Sequence, residues 1–149
     1  MNRYLIIIAI VFGGFAAALA VAFSMLDLGP EPVTNSDGSV ELPSGREALF
    51  HEVVHSAPGT AGLAVRFRFT EADIAQVKET VPYSEIEEDM RFICETYALE
   101  RIANTGPQPA QVIISIADHA VPFGEASPDV TQIFEAYRPE DGACIWEGL

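Results

Sequence analysis

Residues 5–26 read LIIIAIVFGGFAAALAVAFSML, a run of 22 side chains without a charge. As a helix rising about 1.5 Å per residue, such a run extends roughly 33 Å, close to the ~30 Å hydrocarbon core of a bilayer. A cleavable leader ordinarily has an apolar stretch of only about 7–15 residues, so the run is read as a retained single transmembrane helix. Small-x-small sites at Ala18-Leu19-Ala20 and Ala20-Val21-Ala22 leave cleavage as the alternative, and no cysteine directly follows the run to take a lipid. Arg3 precedes it, and no further basic residue occurs before Arg46. The positive-inside rule then leaves residues 1–4 in the cytoplasm and places the rest on the periplasmic side of a bacterial inner membrane. Ala9, Gly13 and Ala17 are spaced by four, as are Gly14, Ala18 and Ala22. These adjacent stripes of small residues would let another membrane helix approach closely.

Charge narrows the partners. Beyond the run, residues 27–149 carry 7 basic and 22 acidic side chains, a net of −15. So acidic a domain repels phosphate backbones, which excludes nucleic acid as an expected partner. It favours cationic proteins, such as a cytochrome c, or metal ions. Cys94 and Cys144 are the only cysteines, and an even pair in an exported domain reads as one disulfide, two buried free thiols being the alternative. No C-x-x-C or C-x-x-C-H is present, so neither a thioredoxin-type centre nor covalent haem is indicated, and no cofactor is expected.

The stretch 27–39, DLGPEPVTNSDGS, has almost nothing to bury and reads as a linker to a folded domain at 40–149. In that domain a short strand leads into a Pro-Ser-Gly turn, residues 46–56 follow as a second strand, and LAVRFRF (63–69) alternates apolar and polar as a half-buried third. TEAD at 70–73 has a capping-box shape and opens a predicted helix over 71–79. Ser84 with Glu87 forms a second such box, and Ile86, Met90, Ile93 and Tyr97 mark the apolar face of a long helix reaching about Ala103. Strands are predicted at 111–117, 130–138 and 143–147, the last two joined by a Pro-Glu-Asp-Gly hairpin turn. The expected fold class is α+β: an N-terminal transmembrane helix, then a small antiparallel sheet with one long packed helix.

His51-Glu52-Val53-Val54-His55 satisfies the H-E-x-x-H pattern of zinc peptidases. On a helix the two histidines share a face one turn apart and can chelate; on a strand they lie roughly 13 Å apart and cannot. Ala57-Pro58-Gly59 would end any helix at once, the only further histidine is His119, and a strand runs naturally into 63–69. The strand is therefore the expected state, with no metal and no catalytic residue. A periplasmic zinc-dependent hydrolase using His51, His55 and Glu52 is the rival. Glu85, Glu87, Glu88 and Asp89 crowd a helix N-terminus, where they favour the dipole. Arg66 and Arg68 share one strand face and are expected to pair with local carboxylates. Asp118 and His119 are read as loop residues at a strand end, and Phe134 and Trp146 as core or interface apolars.

GLAVRFRF, DMRFICETYALERIA, QVIISIAD and TQIFEAYRPEDGACIWE together resemble an uncharacterised family of short exported bacterial domains of unknown function. Some members of that family carry an acetolactate-synthase label. The resemblance spans about residues 40–149 and brings no catalytic residue. The label does not suit this chain, which is too short for a thiamine-diphosphate enzyme and has no phosphate-binding loop. The function expected from all of this is a non-enzymatic, single-pass accessory subunit of a larger respiratory or photosynthetic membrane complex. A secreted binding module freed by cleavage is a further alternative.

Overall fold

The computed structural model describes residues 38–59, 62–102 and 108–148. The residues expected to form the cytoplasmic N-terminus, the transmembrane helix with its small-residue stripes, and nearly all of the linker lie outside these. Among the described residues, no helix is long and apolar enough to cross a membrane.

Six strands, β1 (Ser39–Glu41), β2 (Glu47–Gly59), β3 (Gly62–Thr70), β4 (Gln111–Ala117), β5 (Gln132–Glu140) and β6 (Ala143–Trp146), make one sheet in chain order. The helices fall between β3 and β4: α1 (Ile74–Thr80), α2 (Tyr83–Ile93), a π-helical turn (Cys94–Ala98) and a last α-turn, α3 (Leu99–Arg101). The fold is α+β as expected, but the sheet is mixed rather than purely antiparallel. β3 and β4 run parallel, with Phe67 opposite Ile114, while every other neighbouring pair is antiparallel. The reason is the length of the connection: a hairpin reverses the chain, whereas a helical excursion returns it to its starting edge, so the next strand repeats the direction.

β4 is buried along all seven residues, which suits its β-branched run to the interior of the sheet. One face of the sheet presents Val65, Phe67 and Phe69 of β3 with Val112, Ile114 and Ile116 of β4 to the buried Ile86, Met90 and Ile93 of α2. Each such side chain fully withdrawn from water stabilises by about 1.5–3 kcal/mol. Tyr97 closes this core, its ring 5.4 Å from Phe50, 6.3 Å from Phe67 and 5.3 Å from Phe69. The opposite face has a smaller apolar centre of Ala64, Ile113 and Ala136.

The long helix differs from the expected continuous one. It widens into a π turn where Cys94, Tyr97 and Ala98 are all buried, so this turn commits three of its five residues to the core. Cys94 is bonded there to Cys144 of β6, and Glu95 Oε1 accepts a hydrogen bond from the Cys144 N–H at 3.3 Å. The expected disulfide is formed. Closing a loop of this length stabilises by at most roughly 4 kcal/mol on the chain-entropy account.

Neither capping box forms. α1 begins after Asp73 and α2 after Pro82, each without a side-chain cap. Thr70, the would-be cap of the first box, remains paired in β3, and Glu71 beside it makes a long-range ion pair with Arg46 at 2.8 Å. The β5–β6 turn is tighter than the four-residue version predicted. Pro139 and Glu140 belong to β5, and the loop is Asp141-Gly142, with φ of 51° and 81°. Left-handed backbone at both positions is what a two-residue hairpin turn demands, and Asp-Gly tolerates it.

Candidate functional site

His51 and His55 lie on the extended strand β2, so the helical spacing that would let them share an ion is not formed. The pairing of β2 with β3 shifts register between Phe50 and Glu52 and again between Val54 and Ala57, next to the two histidines. Glu52, the would-be general base, takes a hydrogen bond and ion pair from Arg68 Nη1. Among the described residues, no group of three or more His, Cys, Asp or Glu side chains is arranged to hold a metal.

The acidic cluster at the start of α2 is not a uniform surface feature. Asp89 is 1% exposed and accepts hydrogen bonds from Ser44 N (3.1 Å), Ser44 Oγ (2.7 Å) and Arg46 Nη2 (2.6 Å). It therefore anchors the β1–β2 turn to the helix instead of simply complementing the dipole. Glu71, on the other side of Arg46, has its carboxyl pushed up by burial, with Arg46 opposing the shift. A third buried carboxylate, Glu135 of β5, accepts from Tyr83 Oη and from Trp146 Nε1, the latter at 2.6 Å. It joins the first turn of α2 to both strands of the last hairpin. Burial first, and the Glu135 contact second, raise the Tyr83 hydroxyl from its ordinary value near 10 to about 12. Sequence patterning missed these locks, because Glu71, Asp89 and Glu135 meet partners 25, 43 and 52 residues away.

Asp118 and His119 follow β4 directly. Asp118 Oδ2 accepts from the Thr131 N–H at 3.0 Å, and its Oδ1 lies 2.5 Å from His119 Nδ1. The Thr131 N–H is the main reason the Asp118 carboxyl sits below its usual range. The Asp118 N–H in turn donates to the Thr131 carbonyl at 3.0 Å. The pair thus clips together the two ends of the 118–131 connection, which folds back onto the sheet face opposite the helices.

Arg66 and Arg68 of β3 point to that face, opposite Ile113 and Ser115 of β4. Arg68 fulfils the expected pairing: besides Glu52, its Nη2 donates to the Val121 carbonyl at 2.8 Å. Arg66 departs from it. Its guanidinium makes no ion pair or hydrogen bond among the described residues, and its Nε is buried without an acceptor. It lies instead close to two phenyl rings, with centroids at 5.8 Å (Phe123) and 5.6 Å (Phe134). Burial first, and the neighbouring Arg68 charge second, hold its pKa below the ordinary arginine value. A recess of about 200 Å³ opens here, lined by both arginines, Val121–Glu125, Ser127, Val130 and Gln132.

Phe134 is 44% exposed and Trp146 58% exposed, so both belong to the surface rather than the core. Trp146 and Ile145 (39% exposed) occupy β6, the edge strand.

The sequence pattern of a family of unknown function, DUF6497, matches residues 21–149. It extends the stretch of resemblance back from about residue 40, through the linker and into the apolar run. No curated protein and no solved structure matches the chain.

Proposed function

We propose that this chain, which belongs to the family of unknown function DUF6497, is a non-enzymatic, membrane-anchored periplasmic binding protein. Its role is that of an accessory subunit in a larger respiratory or photosynthetic membrane complex. The anchor is the 22-residue apolar run, whose small-residue stripes suit contact with a second membrane helix. The acidic domain would face a cationic partner surface, such as a cytochrome c, and that attraction would weaken as salt screens it.

The observation that carries the reading is the edge of the sheet. β6 is four residues long, pairs only with β5 among the described residues, and exposes Ile145 and Trp146. A large aromatic and an aliphatic side chain on an open strand edge are the residue types that anchor protein interfaces. Trp146 is also held in place by Glu135, so its ring need not be ordered at the moment of docking.

Extraction of the native membrane in a mild detergent, followed by native gel electrophoresis and mass spectrometry, tests this. The expected result is migration with a large assembly, and release from it by Ile145→Ser, which leaves the core untouched. Migration of the unaltered chain as a lone monomer under the same conditions would overturn the proposal.

A further inference from the structure

Six arginines lie within the described residues, and five of them have carboxylate partners. Arg46 meets Glu71 and Asp89, Arg68 meets Glu52, Arg91 meets Glu95, Arg101 meets Glu100, and Arg138 meets Glu140 and Glu147. Arg66 is the exception, in a chain with 22 acidic residues to choose from. Chance shortage of anions does not explain it. Its neighbour Arg68 adds a second positive charge on the same face, yet the wall around them offers one carboxylate, Glu125, among apolar and neutral polar residues.

Two rings within about 6 Å of one guanidinium attract the cation without occupying its N–H groups. An arginine held in that way keeps its two terminal Nη groups available for a pair of oxygens, as in carboxylate and phosphate recognition. The recess beside it, about 200 Å³, has room for roughly six water-sized volumes. That suits a small anion and is too little for a nucleotide. Ser127 and Gln132 add polar groups to its lining, and Glu125, the one carboxylate there, is exposed and forms no ion pair with either arginine.

We propose that the recess between β3 and the 118–131 connection is a binding site for a small oxyanion, a carboxylate or phosphate group presenting two oxygens to Arg66. Arg68 supports it at longer range, since its own donors already serve Glu52 and Val121. The site is independent of the β6 edge and of membrane attachment.

The test is an NMR titration of the arginine Nε–H signals in the full chain, held in an alkyl maltoside so that no detergent headgroup competes. Inorganic phosphate and acetate are added in separate arms. The expected result is a saturable one-to-one shift of the Arg66 signal with at least one of them, the responding arm identifying the oxyanion, while the Arg46 signal stays in place. In Arg66→Met, which keeps the packing stem and removes the charge, affinity measured on the remaining signals should fall at least tenfold. A shift that grows linearly without saturation in both arms would overturn the proposal, as would saturable binding unchanged in Arg66→Met. The unaltered chain decides the first point even where the variant folds poorly.

Discussion

On the helix side of the sheet, Glu71, Asp89 and Glu135 are each nearly withdrawn from solvent, and each meets donors supplied by a distant segment. On the other side, Arg66 is half-buried against Phe123 and Phe134 and meets no anion among the described residues. Both situations bury charge, but their consequences differ. A buried ion whose partner is already in place is part of how the chain folds, and removing one member leaves the other stranded. A cation with its donors unused adds a desolvation cost and returns no hydrogen bond or ion pair to the fold, which is the pattern expected where a ligand completes the set.

The largest expected effect tests the first half of that contrast. Asp89→Ala leaves Arg46 with Glu71 as its one remaining carboxylate and takes the acceptor from both Ser44 donors, so urea unfolding should show a loss of about 3–5 kcal/mol. A loss under ~1 kcal/mol would mean that the helix side is not locked by this ion pair. A smaller effect concerns Glu135. Tyr83 has a folded-state pKa raised from near 10 to about 12, so the unfolded chain releases this proton first as pH rises. The contribution is therefore fully present below pH 10 and is lost between pH 10 and 12. Thermal melts across that window should steepen downward in the unaltered protein and flatten in Tyr83→Phe. An identical pH slope in both would remove the hydroxyl–carboxylate contact from the account.

Much of the fold was legible because its signals are local. The β-branched run at 111–117, the alternation at 63–69 and the Asp-Gly turn each determine structure within a few residues. The cysteine pairing was also readable, since only two cysteines exist. What was hidden depends on distance along the chain. The parallel β3–β4 pairing follows from the helical excursion between them, a relation no short window contains. The capping motif at 70–73 failed because Thr70, its would-be cap, is still paired in β3 with Leu49 and Ala117, and the helix starts only after Asp73. The π turn reflects the competing demands of Cys94, which is tied to β6, and of Tyr97, which fills the aromatic core. For the candidate site, adjacency of Arg66 and Arg68 on one face could be read directly. That one of them is matched to Glu52 and the other to no carboxylate among the described residues could not, because it depends on how β2 and the 118–131 connection place their side chains in space.

The smallest expected effect bears most directly on the difference between the two faces. Urea unfolding of the full chain carrying Arg66→Met, compared with the unaltered protein in anion-poor buffer, measures what the unmatched charge contributes to folding. The account predicts a change within about 0.5 kcal/mol, or a slight gain, because the phenyl packing survives and a desolvated charge beside Arg68 is removed. A loss above ~2 kcal/mol would contradict it, and would make the guanidinium beside the rings a structural element like the buried carboxylates on the other side.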